Sequence, residues 1–314
     1  MLKLILLGIL SGAFFSTTFV LNEVMSLAGG HWIWSASLRY VFMIIFLVVI
    51  LWVQGGITRL KNVLYLFTQY WLFWIVSGSI GFGMFYALIC FSADFSPGWV
   101  IAATWQFTVV ASLFVFMFFG RTFPKRIWIF SLMIFIGVCF VNLSHIDNFN
   151  FQSLLLGGIP VLIAAFCYPL GNQLVWEAKH GMTHFVPKID SPLLNNAFNK
   201  VMLLSLGSLP LWIVLVLIIN PELPKYNQVL NTSLVALFSG VFATSIFLYA
   251  RNHAKNTNEL AGVDATQASE VVFALIGSML LLGSSSLNLI SIFGLFMILV
   301  GLILFVKYQN MKKD

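Results

Sequence analysis

Apolar residues fall into ten runs along the chain, with limits near 3–25, 33–53, 70–91, 98–119, 127–143, 154–175, 194–219, 232–250, 265–283 and 289–307. Polar residues concentrate in the segments between them. A helix crosses a bilayer with about 17–25 apolar residues, and every run reaches that length. The pattern predicts an all-α polytopic membrane protein with ten transmembrane helices.

The connecting segments are asymmetric in charge. With the N-terminus in the cytoplasm, the inner segments hold Lys3, Arg59, Lys61, Arg121, Lys125, Arg126, Lys179, Lys188, Arg251, Lys255, Lys307, Lys312 and Lys313, and the outer ones hold Lys225 alone. Basic residues stay on the cytoplasmic side, and a miscounted span would scramble the bias. Both termini are therefore expected in the cytoplasm, in a bacterial inner membrane.

The two halves of the pattern resemble each other. "GILSGAFFSTTFVLNEV" (8–24) aligns with "GIPVLIAAFCYPLGNQLV" (158–175), placing Asn22 on Asn172. Run two aligns with run seven, Arg39 on Lys200, and Tyr86-Ala87 falls on Tyr249-Ala250. Run four aligns with run nine, Gln106 on Glu270. Five spans per half is an odd number, so the second half enters the membrane from the opposite face. The expected units are two inverted five-helix repeats, 1–148 and 149–314, an organisation of secondary transporters with the solute site near the midplane. The repeat also argues against reading "SLAGG" (26–30) as a signal-peptide cleavage site.

Composition narrows the function. Sixty per cent of the 314 residues are hydrophobic and 8% charged, too few charges to cover a soluble protein of this size. The net charge of +6 comes from residues scattered between runs, not from a stripe, so no nucleic-acid partner is expected. Cys90, Cys139 and Cys167 lie inside apolar runs and read as small buried hydrophobes. No HExxH, GxSxG or phosphate-binding glycine loop occurs, and His180 and His184 flank Gly181 without a third ligand. Neither an enzyme, a metal site nor a cofactor is expected.

The segments "FFSTTFVLNEVMSLAGGHWIWSASLRY" (14–40) and "GLFMILVGLILF" (294–305) resemble the first two helices and the last helix of the drug/metabolite transporter superfamily. Within it, the chain is most similar to the ten-helix branch of multidrug resistance efflux transporters. The resemblance spans the whole chain through loose motifs. The superfamily often ends its fourth span with Gly-Glu; here "FGRTFPKR" places Arg121 there, with no acid.

A small set of polar residues lies within the spans. Arg39 sits about 10 Å below the outer end of run two and Gln106 about 12 Å below that of run four, with Asn22 and Glu23 near the outer end of run one. Lys200 and Glu270 sit about 10 and 9 Å from the inner ends of runs seven and nine, with Asn172 and Gln173 at the end of run six. Four unpaired ions would oppose insertion by roughly 10 kcal/mol, so they need partners or a wet cavity. One reading pairs Arg39 with Glu23 and Lys200 with Glu270 as structural ion pairs. The other lines two vestibules with them, where Arg39 and Lys200 act as ion-pair gates and Glu270 and Glu23 as coupling and substrate-charge groups. Desolvation disfavours a charged carboxyl and an ammonium favours it, so Glu270 would exchange a proton when Lys200 leaves or a cation displaces it. Trp105, two turns deep, and the aligned Tyr86 and Tyr249 offer aromatic faces to a cation. Asn22, Gln106, Asn172 and Gln173 complete the candidate substrate-binding set. Pro160 and Pro169 interrupt run six and Pro210 run seven.

The expected function is secondary active transport of a small molecule by alternating access, as proton-coupled export of lipophilic cations or small toxic compounds. The alternative is a transporter of a polar metabolite such as an amino acid, choline or a nucleobase, because two acids balance two bases. The expected partners are the solute, protons and the lipid bilayer, in a monomer or weak dimer.

Overall fold

The computed structural model describes residues 2–120, 125–144, 155–181, 183–253, 263, 266–283 and 287–309, all helices and connections without a strand. Nine helices among them are long and apolar enough to cross a membrane: Leu2–Leu27, Trp32–Gln69, Trp71–Ser92, Gly98–Phe118, Ile127–Ser144, Leu155–His180, Ala197–Ile219, Tyr226–Phe247 and Leu289–Tyr308. The ninth apolar run forms a shorter helix, Thr266–Leu282. In chain order these are spans 1 to 10, Thr266–Leu282 being span 9. Arg121, Lys255, Lys312 and Lys313, which carry part of the charge asymmetry, lie outside the described residues.

Three spans run past the apolar pattern, span 6 continuing to His180 and spans 2 and 8 more extensively. Span 2 continues past residue 53 to Gln69 through a break at Gly55 and Gly56, where Gly56 takes a φ of +65° that favours glycine. Beyond the break the helix is amphipathic: Val63 and Leu66 are buried, whereas Lys61 and Tyr65 are exposed. Mixed polarity made this stretch read as a loop. Span 8 starts at Tyr226, six residues early, and its first turn is tied to span 2 by Gln228, whose Nε2 donates to His31 O (2.8 Å) and Ser35 Oγ (2.9 Å).

Three spans depart from α geometry near mid-length. Span 3 widens into a π segment at Ser79–Met84, and span 8 does so at Ala236–Ala243. In span 4 the helix tightens at Gln106, with Gln106 N bonded to Ala103 O and Phe107 N to Thr104 O. Such i→i−3 and i→i−5 turns recur at functional sites. Pro169 and Pro210 lie inside spans 6 and 7. Pro160 lies at the start of the helix Ile159–His180, directly after the turn at Gly158 that breaks span 6, where its missing N–H leaves no bond unmade.

Neighbouring spans pair as 1 with 9, 4 with 6, 2 with 8, 3 with 7, 1 with 8, 3 with 6, 2 with 7 and 5 with 10. Glycine makes several of these contacts close. Gly81 and Gly171 meet backbone to backbone where spans 3 and 6 cross, and a Cβ on either would overlap the other's Cα. Gly8 and Gly12 face Thr266 and Ser269 at the entry to span 9.

Candidate functional site

A cavity of about 180 Å³ lies between spans 1, 2, 3, 4, 6, 7, 8 and 9. The breaks described above sit beside it: Gln106 at the tightened turn, and Ser239 and Gly240 in the wide turn of span 8. Span 9 starts here with a 3-10 turn, Thr266–Ala268, which sets Glu270 in the first turn of the helix that follows. A carboxylate is favoured at that helix end by the partial positive charge of the unbonded N–H groups.

One basic and one acidic side chain line the cavity, Arg39 and Glu270. Glu270 is 7% exposed, and among the described residues it has neither a hydrogen bond nor an ion pair. Arg39 is 8% exposed and lies with Cζ 4.1 Å from the centre of the Tyr86 ring. Its Nη2 donates to Ser239 Oγ at 3.2 Å and its Nη1 reaches Thr18 Oγ1 at 3.5 Å, while the buried Nε has no partner. Asn22 Nδ2 donates to Tyr86 Oη at 3.1 Å and so fixes the ring on which the guanidinium rests. An aromatic wall completes the cavity: Phe85 is 4.9 Å from Trp105 and 5.1 Å from Tyr168 between ring centres.

The arrangement differs from two mirrored vestibules. Arg39, Trp105, Gln106 and Glu270 come together at one cavity. Arg39 is not paired with Glu23, because Glu23 Oε2 is taken by Gly98 N at 2.7 Å and Ser278 Oγ at 2.9 Å. Glu23 therefore joins spans 1, 4 and 9, and it sits at the N-terminus of the span-4 helix after Pro97, where an anion satisfies free N–H groups. Gly98 allows this: a Cβ there would press on Phe19 O at 2.5 Å. Lys200 is not paired with Glu270 and does not line the cavity, although its neighbour Val201 does; the charge beside it is Lys179.

The aligned residues of the second half also lie elsewhere. Asn172 is exposed and bonds back to Tyr168 O, and Tyr249 is 48% exposed with its ring 4.0 Å from that of His253. Gln173 is buried away from the cavity and donates to Glu177 Oε1 at 2.8 Å. Sequence reasoning missed Thr18, Tyr40, Tyr168, Ser239 and Glu177. Hydroxyl and aromatic residues in apolar runs look alike whether they face a cavity or a neighbouring helix. Glu177 reads as part of the basic loop after span 6.

Hydrogen bonds cross the end of the bundle where spans 1 and 3 finish. Ser26 Oγ donates to Asp94, Trp34 Nε1 donates to Glu222 O, and Glu23 holds span 4 just beneath. Partial desolvation holds the Asp94 carboxyl above its ordinary value, against the opposing effects of the Ser26 hydrogen bond and His31.

Residues 2–311 match the family described as "EmrE: Putative multidrug resistance efflux transporter". The chain belongs to this family. Two relatives of this multidrug resistance efflux transporter family member are similar along most of its length. "Uncharacterized protein YjlA" of Bacillus subtilis (strain 168) is 37% identical over 96% of this chain and 94% of that protein. "Uncharacterized 42.1 kDa protein in intracellular alkaline protease 3'region" of Shouchella clausii is 36% identical over 86% of this chain and 70% of that protein. A crystal structure at 13% identity superposes with a TM-score of 0.60 over 99% of both chains, which shows a shared fold. The chain is thus a multi-pass membrane protein of a transporter family, not of an enzyme family.

Proposed function

We propose that the protein is a secondary active transporter that moves small organic solutes bearing a positive charge, with Glu270 as the group that holds either the solute's cation or a proton. The observation that carries this reading is Glu270 itself, a buried carboxyl facing a cavity with no partner among the described residues. A buried charge left without a partner is costly, so the group is suited to binding one or the other by turns. The wall of Phe85, Trp105 and Tyr168 supplies π faces for the same cation. Export of lipophilic cations or small toxic compounds is the form of this reading that uses Glu270 and the aromatic wall alone.

Alternating access and the inverted repeat belong to the same proposal. Numbering span n against span n+5, contacts 1–9 and 4–6 exchange, as do 2–8 with 3–7 and 1–8 with 3–6. Some pairs break the pattern: spans 1 and 4 pack together, whereas 6 and 9 have no contact of comparable extent among the described residues, and spans 2 and 3 are a second case. Spans 2 and 3 pack together through Tyr40 and Tyr86, whose ring centres lie 5.9 Å apart, whereas their counterparts 7 and 8 have no contact of comparable extent among the described residues. That difference supports a conformation closed at the end bearing Asp94 and open towards the end bearing Lys200. With the termini in the cytoplasm, the open side is the inner one.

Glu270→Gln tests the reading. The amide keeps the shape, and Gln106 fills the aligned place in span 4. The variant is expected to insert and stay folded, to lose transport driven by a pH gradient, and to bind cations with an affinity that no longer changes with pH. Full gradient-driven transport in proteoliposomes of Glu270→Gln would remove the coupling role.

A further inference from the structure

We infer that Arg39 forms a carboxylate subsite in the cavity, and that the solute is a small zwitterion whose acidic group meets Arg39 while its amine meets Glu270. The inference rests on the reading of this cavity as the transport site, and it adds the second pole of the solute.

Arg39 is more than nine-tenths buried and faces the cavity, yet no acid of the described chain reaches it. Its acceptors are two neutral hydroxyls, one at the limit of hydrogen-bonding distance, and its Nε–H meets nothing. A guanidinium has five donors in a rigid planar fork matched to a carboxylate. The centre of the fork lies 4.1 Å from the Tyr86 ring centre, and its Nε–H remains for a further acceptor. The ring is itself immobilised by Asn22 and packed against Tyr40. Thr18 Oγ1 also donates to Ser239 Oγ at 2.7 Å, so the two hydroxyls hold each other as well as the guanidinium. The arrangement orients a cation and leaves it without an anion.

Glu270 is the converse, a buried carboxyl facing the same space without a cation among the described residues. Lining one cavity, the two charges balance, and so a net cation satisfies only half of the site. A zwitterion satisfies both. Size points the same way. The cavity of about 180 Å³ falls below the roughly 300–1,000 Å³ typical of pockets for drug-sized ligands. In the same cavity, Phe85 and Trp105 favour a solute with an apolar or aromatic body.

The test compares each proteinogenic amino acid with its carboxamide, and with tetraphenylphosphonium, by calorimetric titration of the detergent-purified full chain. The carboxamide keeps the amine and side chain and lacks only the carboxylate. In the wild type the best-bound amino acid should bind at least about tenfold tighter than its carboxamide, a difference of about 1.4 kcal/mol. In Arg39→Gln the two should bind alike, at the affinity of the wild-type carboxamide. Arg39→Lys, which keeps the charge and loses the fork, should lie between them and serves if the glutamine variant does not fold. Saturable binding of tetraphenylphosphonium or of carboxamides at least as tight as that of every amino acid overturns the inference, as does the absence of saturable amino-acid binding. The underlying reading fails separately: if Glu270→Gln weakens no ligand, this cavity is not the transport site, whatever Arg39 does.

Discussion

Asn22 and Tyr86 in the first half align with Asn172 and Tyr249 in the second, yet the structure puts the first pair in the core and the second on the surface. Tyr86 is fully buried under Arg39, and Asn22 is bonded to it. Tyr249 is 48% exposed beside His253, and Asn172 bonds only to its own helix. Identical residues at aligned places therefore sit in different surroundings: spans 2 and 3 pack together, whereas spans 7 and 8 have no contact of comparable extent among the described residues. The first half supplies a cation on a rigid aromatic bed. The second half supplies the acid, Glu270, and the hydroxyl of Ser239 that steadies the cation.

The largest expected effect of breaking that comparison is at the tyrosines. Tyr86→Ala empties a fully buried site and orphans Asn22, so it should cost roughly 3–5 kcal/mol of stability. Tyr249→Ala should stay within about 0.5 kcal/mol. Thermal melts of both purified variants measure the gap, and equal losses would mean that the two tyrosines are equally buried in solution. Next come the asparagines. Asn22→Ala leaves the buried Tyr86 hydroxyl without its partner, at about 1–3 kcal/mol, whereas Asn172→Ala should be near neutral. The ring under Arg39 should also loosen in Asn22→Ala, which ligand titrations would register as weaker binding of any anionic group.

Arg39→Ala and Glu23→Gln sharpen the comparison through additivity. The two side chains share no bond, so their effects on stability should sum within about 0.5 kcal/mol. A coupling well above that would restore the ion pair inferred from sequence. The smallest effect is expected at the end bearing Asp94. The folded carboxyl of Asp94 holds its proton to higher pH than an unfolded one. Wild-type stability should accordingly decline relative to Asp94→Asn as pH rises through the range just above the ordinary aspartate value, and then level off. Flat differences between pH 3 and 7 would contradict that sign.

Much of the architecture was legible because lipid imposes a simple rule: each apolar run must be a helix, and ten runs gave nine long helices and one short. The exceptions follow from the same rule. Residues 57–69 are amphipathic rather than apolar, so their helix escaped notice. Within the site, the sequence identified which ions lie inside the membrane but not whom they face. Arg39 and Glu23 both lie in the outer part of their runs, which made a pair attractive. Depth along a helix does not specify direction around it, and Glu23 turns towards Gly98 and Ser278 instead. Glu270 and Arg39 line one cavity because spans 2 and 9 face each other across span 1, a relation that only tertiary packing sets.

The wide turns at Ser79–Met84 and Ala236–Ala243 also bear on how such a chain tolerates insertions and deletions. A residue added to an α-helix advances every later side chain by about 100°, since a turn takes 3.6 residues. A wide turn accommodates one extra residue locally, so the helix beyond it keeps its phase relative to its neighbours. In span 3 the phase protected this way is that of Tyr86, two residues after the turn ends. In span 8 the turn itself carries Ser239. Reading-frame-preserving deletions of a single codon should therefore be survivable for membrane insertion at these two places; in span 3 the deletion should leave the phase of Tyr86 intact, whereas in span 8 it should displace Ser239 from the guanidinium. The two segments act as phase adjusters, and their length, more than their composition, sets the aim of the site.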